Sequence, residues 1–156
     1  SMRSSFVSII CLMFLFVPFT SLLAQDDSVL LTYRQKIMKS NGLHMSMIGD
    51  ILKNNLPYKD QIANHARAIA LNSKSTPDAW KKKITMGKTD SQPLIWSDFK
   101  MFSEKAKISG NEAANLANLV ESGDMSAAMA QVRTLGRTCG GCHQSYRKPK
   151  EERFKR

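Results

Sequence analysis

A chain of 156 residues with 42% hydrophobic content is long enough for one domain with a core of its own and too short for an array of domains. Three cysteines exclude a disulfide-dense scaffold, and 23 Lys and Arg against 13 Asp and Glu give a net charge of +10. Basic character of this size suits nucleic acid, an anionic membrane surface or acidic redox partners, but the clusters at Lys81-Lys82-Lys83 and in the tail from Arg147 to Arg156 read more simply as solvated faces and a frayed end.

The chain opens on leader chemistry. Arg3 is followed by an almost unbroken apolar run from Phe6 to Phe19, and Ser21-Leu22-Leu23-Ala24-Gln25 offers a small residue at a cleavage point. Residues 1–24 are therefore expected to be a signal peptide removed after Ala24, leaving residues 25–156 as the functional domain. An uncleaved anchor would need about 20 apolar residues, and Pro18 interrupts this shorter run. Removal of the leader takes Cys11 with it.

Helical periodicity dominates the rest, and strand-like alternation is absent. A first helix is predicted from about Asp26 to Asn54, with Leu31, Met38, Met45 and Leu52 repeating beside Leu30, Ile37, His44 and Ile51. Gly42 and Gly49 share one side of it and invite close approach by another backbone or a flat cofactor. A second helix is predicted from Pro57-Tyr58 to Asn72-Ser73, carrying Ile62, Ala66 and Ile69 on one face. From Lys74 to Ile95 the pattern weakens around Pro77, Gly87 and Pro93, which reads as a long connection with one helical turn near Asp78 to Lys82. The third helix runs from about Ser97 to Ser122, and Gly123 ends it. Asp124 caps the fourth, whose stripe is Met125, Met129, Val132, Leu135, Cys139, Cys142 and Tyr146; Pro149 stops it, a short basic tail covers about 148–156, and Lys150 to Arg156 are expected to be mobile. The expected fold is all-α, an antiparallel four-helix bundle with a long connection between helices 2 and 3.

The fourth helix carries the chemistry. Cys139-Gly140-Gly141-Cys142-His143 is a C-x-x-C-H motif, the attachment signal for a c-type haem: each thiol adds to one vinyl group of the porphyrin, and the adjacent imidazole becomes an axial ligand to iron. On a helix these positions are i, i+3 and i+4, which face one way. A zinc site would need about four ligands and would have to recruit His44 or His65 from far upstream. A thioredoxin-like redox pair follows a strand, and nothing before Thr138 looks like one. Function then turns on the opposite face of the iron, where Met38, His44 and His65 are the candidates. By composition alone a methionine such as Met38 fills a core more often than it binds a metal.

A C-terminal C-x-x-C-H followed by Tyr146-Arg147, the opening Tyr33-Arg34-Gln35-Lys36-Ile37-Met38 and the later Pro93-Leu94-Ile95-Trp96-Ser97-Asp98 resemble the class II cytochromes c, the family of cytochrome c-prime, over nearly the whole chain after the leader. The resemblance implies one covalent haem c held through two thioethers at Cys139 and Cys142, with His143 as proximal ligand. It puts Met38 over the distal face, where low-spin members use a methionine sulfur as sixth ligand and cytochrome c-prime uses a non-coordinating residue. It also implies that Arg34 and Gln35 lie near the haem propionates, and that Arg147, one turn past His143, acts on a propionate or at the proximal face.

Lys36 to Gly42 and Leu56-Pro57-Tyr58 look closer to the low-spin branch, whereas Arg34-Gln35 is shared with high-spin members. The expectation is an exported, periplasmic mono-haem electron carrier with His143 and Met38 as metal ligands, meeting periplasmic redox proteins. The alternative is a five-coordinate protein binding nitric oxide or carbon monoxide, with Met38 non-coordinating. No acid/base dyad, nucleophile constellation or phosphate loop points to an enzyme. A nucleic-acid partner is not expected, because it would leave the leader and both cysteines unexplained. Family members often dimerise through their first two helices, so a homodimer is open to this chain.

Overall fold

The computed structural model describes residues 20–154 and contains four long helices. α1 is Thr20–Lys53, α2 Gln61–Trp80, α3 the single turn Leu94–Ser97, α4 Phe99–Glu121 and α5 Met125–Tyr146, with a 3-10 turn at Lys150–Glu152. The expected all-α bundle is what forms. Most of the leader lies outside the described residues, and so does Cys11. Among the described residues no helix is long and apolar enough to cross a membrane.

Each boundary has a local cause. α1 ends as Asn55 enters the left-handed region at φ 48°, and the Leu56 N–H returns to the Ile51 carbonyl. The turn through Pro57 and Tyr58 delays α2 to Gln61, three residues beyond the expected start at Tyr58. At its far end α2 continues through Pro77 to Trp80, which corrects the connection expected from Lys74. Proline in a helix costs about 3 kcal/mol, but Ser73, Thr76, Ala79 and Trp80 are all buried on that last stretch, and their packing outweighs it. The true connection is 81–93. Gly123 closes α4 at φ 80°, and the Asp124 carboxylate accepts the Ala127 N–H to cap α5 as expected.

Two apolar clusters fill the bundle. One joins Ile48 and Ile51 of α1 to Ile62, Ala66 and Ile69 of α2, Ala113, Leu116 and Val120 of α4, and Ala128 and Leu135 of α5. The other, towards the opposite end, joins Ile37, Trp80, Ile95, Phe102 and Tyr146. The α5 stripe is displaced by one member: Met129 is exposed, because it stands about 120° round the helix from Leu135, and Ala128 and Gln131 take its place inside.

α2 packs on α1 and α4, and α4 on α5, but the backbones of α1 and α5 nowhere approach within 8 Å among the described residues. Two helices of one bundle are thus held apart. Side chains join them at the ends, and a cavity opens between.

Candidate functional site

The space between α1 and α5 is a cavity of about 350 Å³, within the range of small-molecule sites. Met38 and Met45 line it from α1; Cys139, Cys142 and His143 line it from α5. All five are half-buried. Cys139 leans on the cluster containing Leu135, while Met38 and Cys142 lean on the cluster containing Tyr146. Gly42 also borders the cavity, and a Cβ there would meet nothing within 4 Å. The same is true at Gly49, which is exposed and away from the cavity, so neither glycine answers a close backbone approach.

Burial tunes the titratable groups toward their neutral forms. Desolvation pushes both thiols above the ordinary cysteine value, opposed at Cys139 by a hydrogen bond to Thr138 and at Cys142 by the Lys105 charge. His143 is pushed down by desolvation first, then by the charges of Arg147 and Arg153. A neutral imidazole beside two neutral thiols is the donor set that an iron porphyrin requires: an axial nitrogen with a free lone pair and two S–H groups to add across vinyl bonds.

Arg34 is the most constrained side chain at the rim. It is only 2% exposed, yet it is charged. Its Nε donates to the Ala79 carbonyl at 2.7 Å and one terminal nitrogen to the Lys82 carbonyl at 2.6 Å. The guanidinium also sits 5.4 Å from the Trp80 ring centroid and 5.9 Å from that of Trp96. Its other terminal nitrogen, Nη1, is buried without a partner. The guanidinium is a buried positive charge at the cavity rim, and such a charge favours a carboxylate on an occupant, as haem propionates would provide. Desolvation lowers the Arg34 pKa, with Asp27 opposing.

Gln35 donates from Nε2 to the Lys88 carbonyl at 2.7 Å, so both residues expected near propionates also pin the connection onto α1. Arg147 pairs with the Asp90 carboxylate at 3.3 Å, and an isolated antiparallel backbone bridge joins Arg147 to the neighbouring Ser91. Thus Arg34, Gln35, Met38, Cys139, Cys142, His143 and Arg147 all border one cavity. His44 and His65 do not; they face each other elsewhere between α1 and α2.

Several wall residues escaped the sequence reading, Trp80, Asp90 and Phe154 among them. Trp80 fell in the stretch taken for a connection, although its indole N–H donates to Ser91 Oγ at 3.0 Å and its carbonyl accepts from Trp96. Asp90 and Phe154 carried no signal at all. The tail expected to be mobile instead folds back: the Lys148 N–H donates to the Asp90 carbonyl at 2.7 Å, the Phe154 N–H to Asp90 Oδ1 at 3.3 Å, and Phe154 reaches the cavity. Arg153 Nε donates to the Lys148 carbonyl and closes the loop.

Comparison with known proteins follows the same outline. A family model described as Cytochrome C' matches residues 30–147. The cytochrome c' of Rhodospirillum rubrum is 34% identical over 125 residues, covering 80% of this chain and 85% of that one. Cytochrome c-556 of Agrobacterium tumefaciens strain B2A is 34% identical over 116 residues, covering 73% and 93%. Among solved structures, cytochrome c prime from Shewanella frigidimarina superposes with a TM-score of 0.71 at 25% identity, over 78% of this chain and 96% of that one. A nitrosyl complex of a cytochrome c prime variant from Alcaligenes xylosoxidans gives 0.68 at 26% identity, over 77% and 94%.

Proposed function

The chain belongs to the cytochrome c' family, whose members carry covalently attached haem c, and from that premise we propose that it is an exported mono-haem electron carrier with His143 and Met38 as axial ligands. One observation carries the reading: Met38 and His143 border the same cavity from the two helices that the bundle holds apart. The haem, when bound, supplies a one-electron couple at iron.

Everything else is the work of the chain. Cys139 and Cys142 would fix the macrocycle to α5, and the neutral imidazole of His143 would enter the iron's coordination sphere without first losing a proton. The Met38 thioether, a soft donor that favours ferrous iron, would raise the reduction potential of the couple. Arg34 would hold its positive charge at the rim, where it favours a propionate. Gln35 and Arg147 would hold the 88–91 segment at the rim. Export of the chain to the periplasm rests on the leader over residues 1–24.

The second reading is a five-coordinate protein that binds nitric oxide or carbon monoxide over a non-coordinating Met38. Its support is the likeness to the nitrosyl-bound cytochrome c prime variant. Optical spectra of the holoprotein in both oxidation states separate the two. A far-red sulfur-to-iron charge-transfer band with low-spin visible bands, lost in Met38→Ala, is expected. High-spin spectra with rapid carbon monoxide uptake by the reduced protein would overturn the carrier reading in favour of the second.

Val29, Tyr33, Leu43 and Met47 expose apolar surface along α1, which supports a homodimer through this helix. Sedimentation of the holoprotein as a monomer at micromolar concentration would remove it.

A further inference from the structure

Outside the cavity, two imidazoles meet across the α1–α2 contact. His44 Nδ1 and His65 Nδ1 are 3.0 Å apart, and both side chains are half-buried. Their ring centroids lie 5.2 Å apart, which sets the two nitrogens nearly head to head. With both rings neutral, one N–H and one lone pair make a single hydrogen bond. Nothing else in the site requires either residue, since neither borders the cavity.

We propose that His44 and His65 form a two-imidazole clasp for one divalent transition-metal ion of the zinc or copper class, joining α1 to α2. Metal–nitrogen bonds of about 2.0–2.1 Å hold two imidazole nitrogens about 2.9 Å apart at a right angle and about 3.3 Å apart at the tetrahedral angle. The observed separation falls between these values. Binding displaces the one proton shared by the rings, which passes through water to Nε2 of the ring that held it, so both imidazoles stay neutral as Nε2–H tautomers, and each ring swings off the common line so that both Nδ1 lone pairs reach the ion. Half-exposed side chains have the freedom for that movement.

Donor chemistry selects the ion. Two imidazoles suit zinc, copper or nickel, whereas magnesium and calcium demand oxygen ligands. Among the described residues no group of three His, Cys, Asp or Glu converges, so water completes the coordination, and the ion is a reversible clasp of modest affinity. The place gives it leverage. α1 makes close backbone contact with α2 alone among the long helices, and near this point it is tied there by the Asn72 amide, which donates to Ser40 Oγ and Asn41 Oδ1. A metal between His44 and His65 would fix the helix that also carries Met38.

The test uses the ferric holoprotein, titrated with zinc chloride by calorimetry and with cupric ion by electron paramagnetic resonance. One ion per chain is expected, with hyperfine structure from two imidazole nitrogens and a thermal midpoint that rises with zinc concentration. His44→Gln and His65→Gln should each weaken binding about tenfold or more, while the unchanged haem absorption of each variant shows that the bundle is intact. Undiminished binding in the double variant, or no saturable uptake by the parent protein at millimolar zinc, would overturn the proposal and leave the pair a hydrogen bond only.

Discussion

The Tyr146 hydroxyl donates to the Asp98 carboxylate at 2.9 Å, tying the last residue of α5 to the residue just before α4. The ring behind it is only 4% exposed and meets Phe102 edge-on at 5.3 Å. Desolvation first, and then the Asp98 hydrogen bond and charge, push the Tyr146 pKa up to about 12. A tyrosine raised in the folded state stabilises fully below its unfolded value of about 10, and that contribution drains away as pH rises through the folded value. Tyr146→Phe should cost about 1 kcal/mol at neutral pH. It should also flatten the alkaline arm of the stability curve. Denaturant melts from pH 7 to 12 check this, and parallel alkaline slopes in the two proteins would sink it.

Arg34→Met tests the rim. Two carbonyls, those of Ala79 and Lys82, lose their donor, and the stack against Trp80 and Trp96 goes with it. Destabilisation of about 2–4 kcal/mol is expected, since hydrogen bonds to a charged group are each worth about 1.5–3 kcal/mol. Urea titration measures it; a loss below about 0.5 kcal/mol would show that water replaces the guanidinium freely.

Leu135 is fully buried one turn before Cys139, in the larger apolar cluster. Leu135→Ala should cost about 2–5 kcal/mol. If the same face both fills the core and presents the thiols, the variant should also retain less covalent haem on denaturing gels than its expression level predicts. Normal haem content together with the expected loss of stability would separate the two roles.

Asp90→Ala removes the carboxylate that meets Arg147 and accepts from the Phe154 amide. The folded-back tail should then open more often, by about tenfold for a loss of about 1.4 kcal/mol. Limited trypsin digestion after Lys150 and Arg153 reads that opening directly. Equal cleavage rates would place the hold on the tail elsewhere.

Much of the site could be read from the sequence because it is local. Cys139, Cys142 and His143 share one turn of one helix, and Leu135 and Tyr146 declare which way that turn faces. The boundaries of α4 and α5 were equally legible, since Gly123 and Asp124 act through their own backbone and side chain. Pro77 misled because its local cost is opposed by the burial of Trp80 against Phe102, a contact formed across the bundle. The tail misled for the same reason: its partner, Asp90, is 64 residues from Phe154. No pattern announces His44 beside His65, because two separate helices must pack before the rings can meet.

The fold-back of residues 148–154 couples the cavity to the connection between α2 and α3. Phe154 forms part of the wall around the cavity that Cys139, Cys142 and His143 border. Its amide is held by the Asp90 carboxylate, which also meets Arg147, and the Asp90 carbonyl accepts from Lys148. One aspartate in the connection thus fixes the C-terminal side of the wall, and a shift of residues 88–91 would carry Phe154 with it.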